Sequence, residues 1–258
     1  MGGVLALALA SCGRASNTRS VVPPPTQSSY ALMQMNLCLS GLGGCYLEVA
    51  YPAVVKEAMA RIREARPDAI TVNEGCRGDV ARIARRNGYH LRFSRVIYRD
   101  KSLECINPRG RGLFGEAVLT KAAVENSDSR PFQAQAGIER RGWLCLTTRV
   151  DVEVCTAHLA TRGNDEVAAN GPQCAELRAL LARRAARRTV IFGGDLNRRS
   201  PCAPEGFWTR SDRPAEQGPG LQHVYGTRTL RAPSAEVIAT VHTDHDVVLV
   251  RANLPARR

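Results

Sequence analysis

Two short segments of this chain carry side chains suited to hydrolysis. Gly193-Gly194-Asp195-Leu196-Asn197 follows the apolar run Val190-Ile191-Phe192, and Thr243-Asp244-His245-Asp246 precedes another apolar run at 247–250. Both place oxygen ligands, and the second an imidazole, where a strand meets a loop. There a hard divalent cation and a proton-transfer group can be brought together. Asn36, Glu74 and His158 stand at the ends of further apolar runs. Each has a plain reading alone: the asparagine as a turn former, the acids as surface or capping groups, the histidines as core residues. A core strand needs no carboxylate, however, and an unpaired buried one is costly, so several converging at one sheet edge imply a shared cation.

The elements that must position these groups alternate in type. Residues 30–37 form an apolar run of strand character, 53–65 have helical spacing stopped by Pro67, and 69–73 read as a short buried strand. That is a βαβ beginning. A helix at 79–86, a strand at 89–98 and a short strand at 117–120 follow. A hairpin then joins 143–148 to 152–157 through a three-residue loop. A helix over 173–184 starts near Pro172, whose fixed φ suits a first turn. Residues 189–192 form a strand entering the Gly-Gly-Asp turn, and 221–225, 237–241 and 247–250 form short strands. No internal repeat interrupts this order.

A chain of 258 residues, 44% of them hydrophobic, can bury a sizeable core, and 30–258 read as one domain. Residues 1–29 differ: an apolar stretch from Val4 ends in Leu9-Ala10-Ser11-Cys12, and a Ser/Pro/Thr-rich spacer follows. This resembles a bacterial lipoprotein signal, in which Cys12 would carry lipid and tether a cell-surface or extracellular protein to a membrane. No Lys or Arg precedes the stretch, and a cytosolic protein with a structureless N-terminus is the alternative. The other eight of the 9 cysteines form an even set that fits an oxidising compartment. The hairpin loop sets Cys145 opposite Cys155 for a cross-strand disulfide. Cys38 and Cys45 would close a short glycine-rich loop, and Cys76–Cys105 and Cys174–Cys202 remain by elimination.

In order along the chain, Met35-Asn36-Leu37, Asn73-Glu74, Gly115-Glu116-Ala117-Val118-Leu119, Ala157-His158-Leu159, Gly194-Asp195-Leu196-Asn197 and Thr243-Asp244-His245 resemble the endonuclease/exonuclease/phosphatase superfamily. Pancreatic deoxyribonuclease and the neutral sphingomyelinases belong to it. The resemblance implies a four-layer α/β sandwich, two mixed β-sheets face to face with helices outside. By position, Glu74 would bind Mg²⁺ or Mn²⁺ with Asn36 close by, and Ca²⁺ would be a structural ion. Asp195 and Asn197 would orient water and hold the phosphate, their i, i+2 spacing in extended chain pointing them the same way. His245, paired with Asp244 and poised near neutrality, would be the general base. His158 would assist the leaving group, and Glu116 would orient it. One departure stands out: Gln222 occupies the position of an acid that supports the catalytic histidine in many members.

Net charge is +12, and Lys56, Lys101 and Lys121 are the only basic residues that are not arginine or histidine. Such a surface attracts polyanions, although an arginine-rich solvated face, as at 183–188, gives the same count. Arg109 and Arg111 could clamp a phosphate, with Arg162 and Arg198 framing the cleft. Three functions compete. The first is an exported, metal-dependent nuclease, favoured by charge and His158. The second is a phospholipid or phosphoinositide phosphodiesterase, for which no aromatic-rich apolar hairpin is found. The third is a catalytically weak polyanion-binding protein, whose support is Gln222. No protein partner is implied.

Overall fold

The computed structural model describes residues 1–2, 28–42, 49–161, 167–213 and 219–255. The expected lipidation site Cys12, Cys45 and Arg162 lie outside the described residues. In chain order the elements are β1 (Ser29–Asn36), α1 (Ala53–Ala65), β2 (Ala69–Cys76), α2 (Arg77–Asn87), β3 (His90–Arg95), β4 (Ile97–Tyr98), β5 (Lys101–Ser102), β6 (Phe114–Thr120), β7 (Val124–Pro131), β8 (Glu139–Arg140) and β9 (Gly142–Thr148). They continue with β10 (Val152–Ala157), α3 (Val167–Ala185), β11 (Thr189–Asp195), β12 (Phe207–Ser211), β13 (Gln222–Thr227), β14 (Arg231–Ile238) and β15 (Val247–Asn253).

Two six-stranded sheets result, ordered β14-β15-β1-β2-β6-β3 and β12-β13-β11-β10-β9-β7, beside a small β5-β4-β8 sheet. Each large sheet has one parallel pair, β1 with β2 and β10 with β11, in an otherwise antiparallel array. Parallel neighbours need a crossover, supplied by α1 in one sheet and α3 in the other. Period-2 alternation then sorts the side chains into three cores. Met33, Ile70 and Leu119 face α1 and α2. Leu32, Val118, Val154, Ile191 and Val248 pack between the sheets. Phe192 and Tyr225 pack with Leu177 and Leu181 of α3. This is the expected four-layer sandwich. No helix among the described residues is long and apolar enough to cross a membrane.

α1 lies where its apolar spacing placed it. Val54, Val55, Ala58 and Ile62 form its buried stripe, and Arg66, at φ +45° just before Pro67, ends it in the left-handed conformation. Three expectations change. The strand expected over 89–98 divides at buried Val96 into β3 and β4, which join different sheets. α3 begins at Val167, five residues before Pro172. Its early turns are fastened by side chains: Asn170 Nδ2 donates to the Ala160 and Leu196 carbonyls, and Gln173 Oε1 accepts from the Ala160 N–H. The strand expected at 237–241 lies at 231–238, and Val241 is exposed in the loop beyond. β7 and β12 are additional edge strands: the polar sequence of β7 lacks the alternation by which strands are read, and β12 is five residues long and half-buried throughout.

Disulfides join Cys76 to Cys105, Cys145 to Cys155 and Cys174 to Cys202. Cys145 and Cys155 are directly paired across β9 and β10. Cys38 is itself a half-cystine.

Candidate active site

The same alternation that builds the core between the sheets builds the site. On β1 the side chains Leu32, Gln34 and Asn36 share one face; on β2 it is Ala69, Thr71 and Asn73. On β10 and the residue after it the series is Val154, Thr156, His158, and on β11 it is Ile191, Gly193, Asp195. Each series passes from an apolar layer through a polar rung to a chemical group. The rung is fully bonded: Thr71 Oγ1 donates to Gln34 Oε1 (2.6 Å), Gln34 Nε2 to Asn73 Oδ1 (2.8 Å), and the Asp195 N–H to the same Asn73 oxygen (2.8 Å). Gly193 is required here by close approach. A Cβ on it would lie 2.3 Å from Thr71 Oγ1 and 3.0 Å from Leu32 Cδ2 of the facing sheet.

Above the rung, Asn36, Glu74, His158, Asp195, Asn197 and His245 converge. Asn36 Nδ2 donates to Glu74 Oε1 (3.1 Å) and to Asp195 Oδ2 (3.0 Å). His158 Nε2 lies 3.7 Å from Glu74 Oε1, 3.8 Å from Asp195 Oδ2 and 3.0 Å from Asn197 Nδ2. His245 spans Asp244 Oδ1 (Nδ1, 2.8 Å) and Asp195 Oδ2 (Nε2, 3.2 Å). Glu74 has φ +56°, next to the register shift between Val72 and Gly75 against β6. A non-glycine residue held there stores strain, and such outliers gather at functional sites.

Asn197 reaches the cleft by a route other than the extended chain expected. It sits at φ +49°, its N–H donates to Asp195 Oδ1 (3.0 Å), and its side chain is bound to the Leu159 carbonyl (3.0 Å). The carboxylate thus shapes a turn that swings Asn197 toward His158.

Burial works against ionisation of both acids, with different outcomes. Burial holds Glu74 above the ordinary carboxylate range despite His158, Arg141 and Asn36. At Asp195 burial is outweighed by the His245 hydrogen bond and the nearby His158, so its pKa is lowered. His245 was expected near neutrality. Burial would lower it further, but Asp195 and Asp244 push it up to about 10, so in this arrangement it is an imidazolium. A water that replaces the Asp195 oxygen at Nε2 would remove one of those carboxylates.

Sequence reasoning missed Arg141, one arginine among many and without a motif of its own. It is buried, and Nη1 donates to His158 Nδ1 at 2.6 Å while lying 3.0 Å from Glu139 Oε1. With Nδ1 accepting, a neutral ring carries its proton on Nε2, the nitrogen facing the cleft. Glu116, the expected orienting acid, is held at Oε2 by Asn73 Nδ2, and its Oε1 lies 3.7 Å from His158 Nδ1 without a hydrogen-bond partner. Burial and Arg141 disfavour a charged His158, but Glu116, Asp195 and Glu74 outweigh them and its pKa is raised.

Gln222 is integrated, with no gap at its position. Its Oε1 accepts from Gln34 Nε2 (3.3 Å) and its Nε2 donates to the Asp246 carbonyl (2.6 Å), tying the His245 loop to the rung. Arg111 does not face the cleft. It is buried, and its five N–H donors go to Pro108 O, Cys76 Sγ, Asp79 Oδ2, Leu39 O and Asn107 O, so none remains for a phosphate clamp. Arg109 is exposed on the same loop, and Arg198 is tied to Ser200 and Asn170 beside Asn197.

Residues 47–245 match the model of the endonuclease/exonuclease/phosphatase family, and the chain belongs to that family. Its reaction class is accordingly phosphoester hydrolysis. The fold is similar to the endonuclease/exonuclease/phosphatase from Beutenbergia cavernae (TM-score 0.64, 19% identity, covering 88% of this chain and 72% of that one). It is also similar to the human Nocturnin catalytic domain with bound sulfate anion (0.65, 14%, 89% and 96%). A third similar structure is D. rerio TDP2 complexed with single strand DNA product (0.58, 13%, 88% and 99%). No curated protein matches the chain by sequence.

Family members generally use divalent metal ions, and the donor set here fits one. Glu74 and Asp195 turn carboxylate oxygens toward one point, at Asn36 Nδ2, and carboxylate oxygens are ligands that hard cations prefer; Asn36 Oδ1 is itself taken by the Cys38 N–H.

Proposed function

We propose that this protein is a Mg²⁺- or Mn²⁺-dependent phosphodiesterase that cleaves nucleic acid outside the cytoplasm, tethered through lipidated Cys12. The observation that carries the reading is the convergence of Asn36 and Glu74, His158, Asp195 and Asn197, and His245 in one cleft at the ends of both parallel strand pairs. The disulfides support export, because such bonds persist in oxidising compartments. Net charge of +12 supports a polyanionic substrate.

Glu74, with Asn36 beside it, would hold the cation, which when bound neutralises charge developing on the phosphate. The rest falls to the chain's own groups. Once a water displaces the Asp195 oxygen from Nε2 and the ring is neutral, His245, steadied at Nδ1 by Asp244, takes a proton from that water. Asp195 and Asn197 fix the water and a phosphate oxygen in line. As the water oxygen bonds to phosphorus and the P–O ester bond breaks, the leaving oxygen accepts a hydrogen bond from His158 Nε2–H and takes up a solvent proton, while Arg141 keeps Nδ1 occupied. Gln222 leaves this machinery intact, which removes the main argument for an inactive binder.

The test incubates the purified, oxidised protein with plasmid DNA, RNA, a sphingomyelin dispersion and a chromogenic phosphodiester, in Mg²⁺ or EDTA, beside His245→Ala. Metal-dependent nucleic-acid cleavage lost in the variant is expected. Turnover of lipid alone, or of nothing, would reject the nuclease.

A further inference from the structure

A groove of about 690 Å³ opens between the edges of the two sheets, with β3 on one wall and β7 on the other. Arg92 Nε spans the two edges to Ser127 Oγ at 3.2 Å. Six arginines line the groove against one carboxylate, Glu116. Two of the six have ionic partners: Arg140 pairs with Asp100 and Arg141 with Glu139. Arg77, Arg95 and Arg130 are exposed and have no ion-pair partner among the described residues. The groove abuts the reaction centre, because buried Glu116 and Arg141 line the one and approach His158 Nδ1 in the other.

Like charges facing one another across a cleft repel. Among the arginines at the end of α3, Arg184 and Arg188 are paired with Asp128 and Glu153, whereas these three, without ion-pair partners among the described residues, line one groove beside a phosphodiester centre. A run of phosphates relieves that repulsion, and a basic groove that tracks the backbone is how single strands are held without sequence preference. The volume lies in the range that encloses one small-ligand-sized segment, which suits one strand and not a duplex.

We propose that this groove binds the backbone of a single nucleic-acid strand leading away from the scissile bond, making the substrate a strand of several nucleotides. The inference rests on the phosphodiester reading of the adjoining centre, but its test needs neither metal nor turnover. Binding of a fluorescein-labelled thymidine oligonucleotide is followed by anisotropy in EDTA across a salt series. The oxidised full chain is compared with Arg77→Gln/Arg95→Gln/Arg130→Gln and with a control of equal charge, Arg63→Gln/Arg85→Gln/Arg187→Gln. At about 0.7 per phosphate contact, the groove triple is expected to flatten the log Kd against log salt slope by about 2 and to raise Kd at least tenfold at low salt. The control should shift Kd less than about threefold, and Arg95→Gln alone should flatten the slope by about 0.7. A wild-type slope in the groove variants, or equal loss in the two triples, would overturn the proposal. So would groove-dependent binding to anionic phospholipid vesicles that exceeds binding to the oligonucleotide. Loss of hydrolysis in His245→Ala bears on the centre alone, and the salt slope on the groove alone.

Discussion

The β1–α1–β2 and β10–α3–β11 units share one plan, a parallel strand pair closed by a helix, yet they end in opposite conditions. The first ends in Asn36 and Glu74, with Glu74 on left-handed backbone, partly accessible, and its carboxylate destabilised by burial. The second ends in His158 and Asp195, both buried, with Asp195 stabilised as an anion by two histidines. The contrast separates two tasks. On the proposed mechanism, the carboxylate that would take up a cation is left reachable and destabilised by burial, whereas the groups that would orient water and move protons are enclosed and bonded in advance. The strain and desolvation at Glu74 are costs that a cation would offset.

Variants of the two units should therefore fail differently. His245→Ala or His158→Ala is expected to lower kcat about 10²–10⁴-fold on a chromogenic diester with the metal requirement unchanged, because only proton transfer or the hydrogen bond to the leaving oxygen is lost. Glu74→Gln is expected to lower activity about 10²-fold or more at fixed Mg²⁺ and to regain part of it as Mn²⁺ is raised. If raising Mn²⁺ restored His158→Ala as well, the division between units would fail.

The disulfides sharpen the comparison through stability. Cys76–Cys105 and Cys174–Cys202 close sequence separations of 29 and 28 residues and Cys145–Cys155 one of 10. Loop-closure entropy assigns about 3–4 kcal/mol to each of the longer ones and slightly less to the short one. Serine replacement of either long pair should lower Tm by thermal scanning. Loss of Cys76–Cys105, two residues beyond Glu74, should also weaken metal binding, and loss of Cys174–Cys202 should not. Gly193→Ala forces a methyl onto Thr71 and is expected to cost about 1–3 kcal/mol in denaturant unfolding.

The smallest effect concerns Asp212, buried beside Gln222, whose pKa burial raises to about 6. A carboxyl with a folded pKa above its ordinary value near 4 binds its proton more tightly when folded. Its stabilising contribution is therefore present below pH 4 and lost as pH rises through 6. Asp212→Asn should stabilise the protein by about 1–2 kcal/mol at pH 8 and by almost nothing at pH 4, in melts made in EDTA. A pH-independent difference would contradict this.

Much of this was legible in the chain because of period 2. The runs ending in Asn36, Glu74, His158 and Asp195 announced strands with chemistry at their ends, and the hairpin loop set Cys145 against Cys155. What stayed hidden lacks a local signal. β7 is a polar edge and β12 a five-residue one, each defined by its neighbour in the sheet. The helical start at Val167 depends on Asn170 and Gln173 bonding to loops distant in sequence. Arg111 and Arg141 look alike as residues, and tertiary packing alone makes one a buried clasp for a loop and the other the partner of His158. The turn that aims Asn197 is built by Asp195, so spacing suggested the destination and not the path.

The most direct measurement is Mn²⁺ binding to the oxidised protein, followed by electron paramagnetic resonance, in wild type, Glu74→Gln and Asp195→Asn. If the two units divide the work in this way, wild type holds a tightly bound ion, Glu74→Gln weakens it at least tenfold, and Asp195→Asn, although it abolishes turnover, shifts it less than about threefold. Binding that survives Glu74→Gln would place the metal elsewhere and contradict the account.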